Sequence, residues 1–208
     1  MNFLAHIFLS GKSEQILVGN FIGDSVKGKY YDDYPVLVQR GITLHRFIDF
    51  YTDTHPIIHR SKFLLNSQYH KYSGVVIDIF YDHFLTVTWN KFSDIPLREF
   101  IYDTYDTLIR NSKLFPEEVK RFFPFFILGN WLETYSYVNG IEAVLNEMSR
   151  YTSLPDHTQF AIEILLEHYS LFEDHFMEFF PQIIAEIEKR FEISVYRKDS
   201  SKLYMPSA

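Results

Sequence analysis

The feature that most constrains this chain is the segment over residues 73–89, which reads SGVVIDIFYDHFLTVTW. Its spacing predicts a helix that is apolar on nearly every side. A surface helix shows one apolar stripe, whereas a helix that is apolar all round is buried. The segment therefore predicts a central helix around which the rest of the chain packs.

Helix signals recur along the whole chain, and runs of strict apolar and polar alternation are scarce. Gly and Pro number only 8 each, which argues against a turn-rich β architecture. A chain of 208 residues, 47% of them hydrophobic, is of the usual size for one domain with one core. We therefore predict an all-α, compact multi-helix domain over residues 1–196, followed by a polar tail over residues 197–208 that frays.

Cap residues and prolines predict where the helices begin. Asn2 is expected to cap a first helix, and Ser13 a second helix that ends near Gly28. Pro35 fits the first turn of a third helix, which runs to about Asp53. Further starts are predicted at these positions: Pro56, Ser73, Asp94 with Pro96, Pro116, Asn139 and Pro155.

Two prolines fall inside predicted helices, where proline removes a backbone hydrogen bond. Pro124 is expected to break or kink the run that continues through Trp131. The helix after Pro155 is expected to be long and amphipathic, with a bend at Pro181.

Charge and cysteine content exclude several classes of protein. The net charge of −7 would repel nucleic-acid phosphates, so we expect no nucleic-acid partner. There is no cysteine, which excludes disulfides and thiolate metal sites. Neither a signal peptide nor an apolar run of about 18 residues is visible, so we expect a cytoplasmic protein that is not embedded in a membrane.

Two acids and a histidine interrupt the apolar central segment: Asp78, Asp82 and His83. An ionised carboxylate buried alone costs several kcal/mol, so such a group pairs, protonates or holds a metal ion. The i, i+4 spacing places both carboxylates on one helix face, where a cation between them would relieve their repulsion. Alternatively, the acids bond to neighbouring helix ends or basic side chains, and the histidine is a hydrogen-bonded core residue.

A second pair with the same spacing, His45 and Asp49, lies in the predicted third helix. Metal sites in helical proteins are commonly built from such side chains projecting inward from facing helices. Arg46 follows His45 and could offer its guanidinium group to a phosphate. A hydrogen-bonded surface pair with a solvated arginine would have the same pattern.

Two more polar residues stand in apolar surroundings near the start of the chain, His6 and Asp24. Asp24 is expected close to the end of a helix, where the helix dipole disfavours an anion and a nearby cation is needed. Lys27 is a candidate for that cation. His6 fits either a metal ligand or a capping or core histidine.

These motifs follow one another as NFLAH, GNFIGDSVKG, GITLHRFID with TDTHP, and DIFYDHFL with a Trp six residues after its His. Together they resemble the acyl carrier protein phosphodiesterases, and the resemblance covers the chain from Met1 to about Phe191. That family is similar to the HD-domain metal phosphohydrolases. The resemblance therefore implies an all-helical, HD-domain-like fold.

The resemblance implies hydrolysis of the phosphodiester that joins phosphopantetheine to the serine of holo acyl carrier protein, with a divalent ion such as Mn²⁺. Mg²⁺ and Fe²⁺ suit the same nitrogen and oxygen donors. Asp49 or Asp82 is expected to act as the base or to orient a ligating histidine, and Arg46 or Lys27 to bind the phosphate. The expected metal ligands lie among the matching motif positions: His6, Asp24, His45, Asp49, Asp78, Asp82 and His83.

Residues 54–77 contain basic side chains but no Asp or Glu. Acyl carrier protein is strongly acidic, so a partner of net charge −7 needs a local positive surface to attract it. We expect the carrier to dock on this stretch, with Arg60 and Lys62 as contacts. An ordinary solvated helix is the alternative.

Two other functions fit the same residues. One is an HD-type phosphohydrolase that acts on a nucleotide or another small phosphoester. The other is a helical module that binds the carrier without cleaving it. A binding module has no need for paired carboxylates in apolar helices and is expected to contain no metal.

Overall fold

The computed structural model describes residues 1–195, apart from the side chain of Lys29, and consists in that range of α-helices and 3₁₀ turns without a β-strand. The predicted all-α fold is confirmed. The predicted tail, residues 197–208, lies outside the described residues. The helices have these bounds: α1 Phe3–Leu9, α2 Glu14–Phe21, α3 Val36–Thr54, α4 Pro56–Tyr69, α5 Ser73–Val87, α6 Leu97–Arg110, α7 Glu117–Leu128, α8 Trp131–Thr134, α9 Val138–Tyr151, α10 Thr158–Glu167 and α11 Tyr169–Phe191.

Most helices begin where the local signals predict. Asn2 Oδ1 accepts a hydrogen bond from the Phe3 amide at 2.9 Å, and Ser13 Oγ accepts one from the Ile16 amide at 3.4 Å. Pro56 is the first residue of α4, where its missing N–H leaves no helical bond unmade. Prolines also immediately precede three helices: Pro35 before α3, Pro96 before α6 and Pro116 before α7.

The second helix ends earlier than predicted. It stops at Phe21 instead of near Gly28, and the chain continues through 3₁₀ turns at Gly23–Ser25 and Gly28–Asp33. Gly23 brings the first turn against α3, because a Cβ at this position would lie 2.4 Å from Cγ of His45. This close approach is a tertiary contact, which cap signals in the sequence do not report.

Helix α7 continues through Pro124, so the predicted break at this residue is wrong, whereas the alternative of a kink stays a prediction. Helix α7 runs through it to Leu128 and ends at Gly129, followed by Asn130 in the left-handed conformation with φ of 45°. Proline removes the hydrogen bond to the carbonyl four residues earlier, here that of Lys120. Both Pro124 and Lys120 are exposed, so water can satisfy that carbonyl.

The single long helix predicted after Pro155 is two helices, α10 and α11, which are separated at His168. One helix over the combined length would extend for about 50 Å. Helix α10 instead packs on α4 and α9, whereas α11 packs on α3, α4 and α5. The interruption lets the two halves follow different faces of one core. Pro181 lies inside α11.

Helix α5 is the central helix, as its composition predicts. It contacts α1, α4, α9 and α11. The Phe80 ring meets Phe172 of α11 at 5.4 Å between centroids, and Tyr81 meets Phe176 at 5.5 Å. Apolar residues on several sides of α5 are buried because other helices cover those sides.

Helices α2 and α3 cross at backbone contact. A Cβ on Gly19 would lie 2.0 Å from the carbonyl oxygen of Val38, and one on Gly41 would lie 2.2 Å from that of Ile16. Only glycine fits at these two positions without displacing backbone atoms. The crossing places Asn20 of α2 directly against His45 of α3.

We predict that Gly41→Ala lowers the free energy of unfolding by about 1–3 kcal/mol, because the added methyl group must push two backbones apart. Helix propensity alone would favour Ala by about 1 kcal/mol. Urea denaturation measures the difference. Gly74→Ala is the matched control, since its Cβ would first meet the flexible Lys62 Cε at 2.9 Å. Equal stability of both variants would contradict a tight crossing.

Candidate metal centre

Two histidines and an aspartate from two helices converge at the α1–α3 contact. His6 lies on α1, and His45 and Asp49 lie one turn apart on α3. One potential ligand atom from each residue lies within 4.8 Å of the other two. Within the described part of the chain, this is the one group of three His, Cys, Asp or Glu residues with such a spacing. The imidazole rings stack with centroids 4.2 Å apart.

Asn20 of α2 orients both imidazole rings. Its backbone carbonyl lies 2.7 Å from His45 Nδ1, and its Oδ1 lies 2.8 Å from His6 Nδ1. Its Nδ2 donates to the His6 carbonyl at 2.7 Å and to Ser10 Oγ at 2.9 Å, which identifies Oδ1 as the acceptor. Both Nδ1 atoms therefore donate, and both Nε2 atoms face the carboxylates. Metal-ligating histidines are commonly fixed in this way.

The Nε2 atoms meet two carboxylates. Asp49 Oδ1 lies 3.1 Å from His6 Nε2, and Asp49 Oδ2 lies 3.1 Å from His45 Nε2. Asp24, on the 3₁₀ turn after α2, brings Oδ1 to 3.0 Å from His45 Nε2. His45 is therefore the partner of Asp24, a role for which the sequence suggested Lys27. The Asp24 side chain is 88% exposed, so the cluster opens to solvent on that side.

The electrostatics of the cluster favour positive charge between the carboxylates. Burial disfavours charging of His45, but its contacts with Asp24 and Asp49 outweigh burial and raise its pKa to about 9. Burial likewise opposes ionisation of Asp49, but its contacts with His45 and His6 hold its pKa well below the usual value. Burial lowers the pKa of His6, although Asp49 opposes that shift.

The donor set fits a divalent cation. The buried His45 Nε2 has no aligned hydrogen-bond partner, although two carboxylate oxygens lie about 3 Å away. A lone pair that faces two carboxylates is stabilised when a proton or a metal ion lies between them. Imidazole nitrogen with carboxylate oxygen suits Mn²⁺, Fe²⁺ and Zn²⁺. The group comprises a possible His/Asp metal-binding triad, with Asp24 beside it.

Asp82, a predicted ligand and base, has a different contact. It is fully buried, and its Oδ2 and Oδ1 accept hydrogen bonds from the first amides of α1, those of Leu4 at 2.7 Å and Ala5 at 3.1 Å. Burial raises its pKa to about 7, against the effect of those amides. Both oxygens are engaged, so the contacts match the alternative in which the acid bonds to a neighbouring helix end.

The structure does not bring the other two predicted ligands on α5 to the cluster. Asp78 Oδ1 lies 2.9 Å from the amino group of Met1, and burial raises the pKa of this carboxyl. His83 Nδ1 donates to the Tyr135 carbonyl at 2.7 Å, and its Nε2 lies 2.8 Å from the Tyr169 hydroxyl. Both ring nitrogens are satisfied, and burial lowers the pKa of His83. Its contacts are those of a hydrogen-bonded core histidine.

Two of the three Lys and Arg side chains in the predicted basic surface pair with acids. Arg60 pairs with Glu178 of α11 at 2.9 Å, and Lys62 pairs with Asp53 of α3 at 2.8 Å. The stretch from 54 to 77 has no acid of its own, but neighbouring helices supply acids that the sequence spacing did not reveal. Lys27 is exposed.

Arg46 contacts the chain segment that follows Asp24. Its NH2 donates to the Val26 carbonyl at 3.0 Å, and its guanidinium carbon lies 5.6 Å from the centre of the Tyr31 ring.

Sequence reasoning missed Asn20, whose signal was a polar residue between apolar neighbours in LVGNFIG.

Fold and site together define a helical protein with a potential metal centre of the His and Asp type. The sequence model of the family described as acyl carrier protein phosphodiesterase matches residues 1–183, and the chain belongs to this family. No solved structure matches the chain, so the expected HD-domain likeness stays a prediction. None of the described helices has the length and apolarity that crossing a membrane requires.

Curated relatives agree with the family assignment. The chain is 30% identical over 191 residues to a protein named acyl carrier protein phosphodiesterase from Photorhabdus laumondii, covering 91% of this chain and 96% of the relative. It is also 30% identical over 194 residues to the protein of that name from Escherichia coli O157:H7, covering 91% of this chain and 99% of the relative.

We predict that Asp82→Ala lowers the free energy of unfolding by about 2–5 kcal/mol, because it leaves two buried amides of α1 without an acceptor. Asp82→Asn should cost less, since one acceptor oxygen remains. Chemical denaturation measures both, with the exposed Asp103→Ala on α6 as the control. An Asp82→Ala protein as stable as the control would show that these two bonds are dispensable.

We predict that the protein binds Mn²⁺ and that His45→Ala weakens binding at least a hundredfold, because one ligand and its orientation are lost. Titration calorimetry of metal-free protein gives the dissociation constants. His59→Ala, at an exposed position on α4, is the control and should bind like the unaltered protein. Equal affinities of the two variants would place the ion elsewhere.

Proposed function

We propose that this protein hydrolyses the phosphodiester of holo acyl carrier protein, releasing 4′-phosphopantetheine and apo carrier. Its membership of the acyl carrier protein phosphodiesterase family supports the reaction and the substrate. The cluster of His6, His45 and Asp49 supports a divalent metal ion as the source of reactivity. This convergence of two imidazoles and a carboxylate, next to the solvent-exposed Asp24, is the observation that carries the proposal.

His6, His45 and Asp49 would hold the ion, with Asp24 as a further oxygen donor on the open side. Such an ion polarises phosphoryl oxygens and makes bound water acidic at neutral pH. Asn20 keeps both rings turned with Nε2 toward the site. The resemblance favours Mn²⁺, while the donor set also suits Fe²⁺ and accommodates Mg²⁺.

Asp24 is the best placed group to orient the attacking water. Its side chain reaches solvent, and its contact with His45 lowers its pKa, so it is ionised at neutral pH and can accept a hydrogen bond. Asp49 would also bind the ion, but it faces both imidazoles and its side chain is less exposed than that of Asp24. Asp82 is poorly placed to act as the base, because both its oxygens accept hydrogen bonds from amides of α1 and its side chain has no access to solvent.

The proposed setting is the carrier-linked chemistry of fatty acid biosynthesis in the cytoplasm, with holo acyl carrier protein as the partner. Because Arg60 and Lys62 each pair with an acid, these two residues add little net positive charge to the stretch from 54 to 77. We therefore expect that replacing Arg60 and Lys62 by Glu raises the apparent KM for the carrier. The increase should be smaller than it would be if these two side chains had no acidic partners.

We predict that pure protein with Mn²⁺ reduces the mass of holo carrier by that of its phosphopantetheine group, as measured by intact-protein mass spectrometry. His45→Ala should lower the rate at least a hundredfold, because the ion is held poorly. Asp103→Ala, at an exposed position on α6 outside the stretch from 54 to 77, should retain full activity. Parallel assays with small phosphodiesters distinguish a general phosphohydrolase. An unchanged carrier mass together with Mn²⁺ uptake would indicate another substrate, and unchanged mass without metal uptake would indicate a binding module.

A further inference from the structure

The position of Asp24 depends on the chain segment that carries it. Its side chain is 88% exposed, and its contact with the cluster is the 3.0 Å approach to His45 Nε2. A side chain this exposed is not oriented by packing. In the stretch from 24 to 34, Val26 is the one side chain among those described that is buried. Tyr31 and Tyr34 are half-buried against the core, so apolar packing holds the segment at Val26 and beyond but not at Asp24 itself.

Arg46 ties the segment to α3 next to the cluster. Its NH2 donates to the Val26 carbonyl at 3.0 Å, two residues after Asp24. Its guanidinium group also lies over the Tyr31 ring at 5.6 Å, in cation–π geometry. One side chain thus contacts the segment after Asp24 at two points, Val26 and Tyr31.

Two further polar side chains of α3 extend this attachment. Gln39 Nε2 donates to the Tyr34 carbonyl at 2.8 Å, and Thr43 Oγ1 lies 3.0 Å from the Tyr31 hydroxyl. The spacing i, i+4, i+7 puts the three on one face of α3. We name them the α3 clamp: Gln39, Thr43 and Arg46.

We infer that the α3 clamp, and Arg46 above all, is a positioning device that holds Asp24 against His45 and so completes the metal centre. The inference rests on the proposed function. It differs from the expectation that Arg46 binds the phosphate of the substrate. Residues that orient metal ligands without touching the ion commonly change metal affinity by a factor of about 10 to 100.

The attachment can be tested without metal. Amide hydrogen exchange in metal-free Arg46→Ala should be at least tenfold faster at residues 26–34 than in the unaltered protein, because local opening becomes easier. Arg46→Lys keeps a donor but loses the planar group over Tyr31, so it should restore exchange only in part. Arg150→Ala is the control, since that exposed arginine pairs with Glu147 on its own helix. Unchanged exchange in Arg46→Ala would overturn the inference.

Action through Asp24 can be tested by a double-mutant cycle on the Mn²⁺ dissociation constant. Arg46→Ala should raise this constant about tenfold in the unaltered protein. It should have no further effect in Asp24→Asn, where the positioned ligand is already impaired. An equal increase in both backgrounds would show that Arg46 does not act through Asp24.

The remaining outcomes separate this inference from the proposed function. If Arg46→Ala leaves Mn²⁺ affinity unchanged but raises the KM for holo carrier, Arg46 contacts substrate and the inference is rejected alone. If the unaltered protein takes up no Mn²⁺, the metal centre is rejected and this role for the clamp with it.

Discussion

The candidate site depends on the backbone contact between α2 and α3. Gly19 and Gly41 allow these helices to approach so closely that the carbonyl and side chain of Asn20 reach both imidazoles. A larger residue at either glycine would separate the helices, and the Nδ1 atoms would lose their common acceptor. The orientation of His6 and His45 therefore depends on glycine at positions 19 and 41.

A second buried polar contact places α1. This helix has only seven residues, too few to be stable by itself in water. Asp82 of the central helix accepts hydrogen bonds from its first amides, and Asn20 binds the carbonyl of His6. A carboxylate at a helix N-terminus also interacts favourably with the helix dipole. Asp82, in the centre of the core, thus supports the site by positioning the helix that carries His6.

Asp49 and Asp82 illustrate why the sequence pattern did not separate candidate metal ligands from acids that hold a neighbouring helix. Asp49 and Asp82 both stand at i, i+4 spacing from another polar residue in an apolar helix, and both were candidate ligands. Asp49 faces two imidazole nitrogens, whereas Asp82 faces two backbone amides. Either environment stabilises a carboxylate in an apolar helix, so the sequence pattern around each acid is similar although the contacts differ.

Local sequence determined the all-helical architecture, most helix starts, the burial of α5, and the pairing of His45 with Asp49, since each depends on residues within a few positions of one another. The tertiary structure alone decided the early end of α2, the role of Asn20, the removal of Asp78, Asp82 and His83 from the cluster, and the neutralisation of Arg60 and Lys62. Those outcomes depend on partners far away in the chain: Leu4 and Asp82 are 78 residues apart, and Arg60 and Glu178 are 118 apart. Helix periodicity shows which face a side chain occupies, but only packing decides which group that face meets.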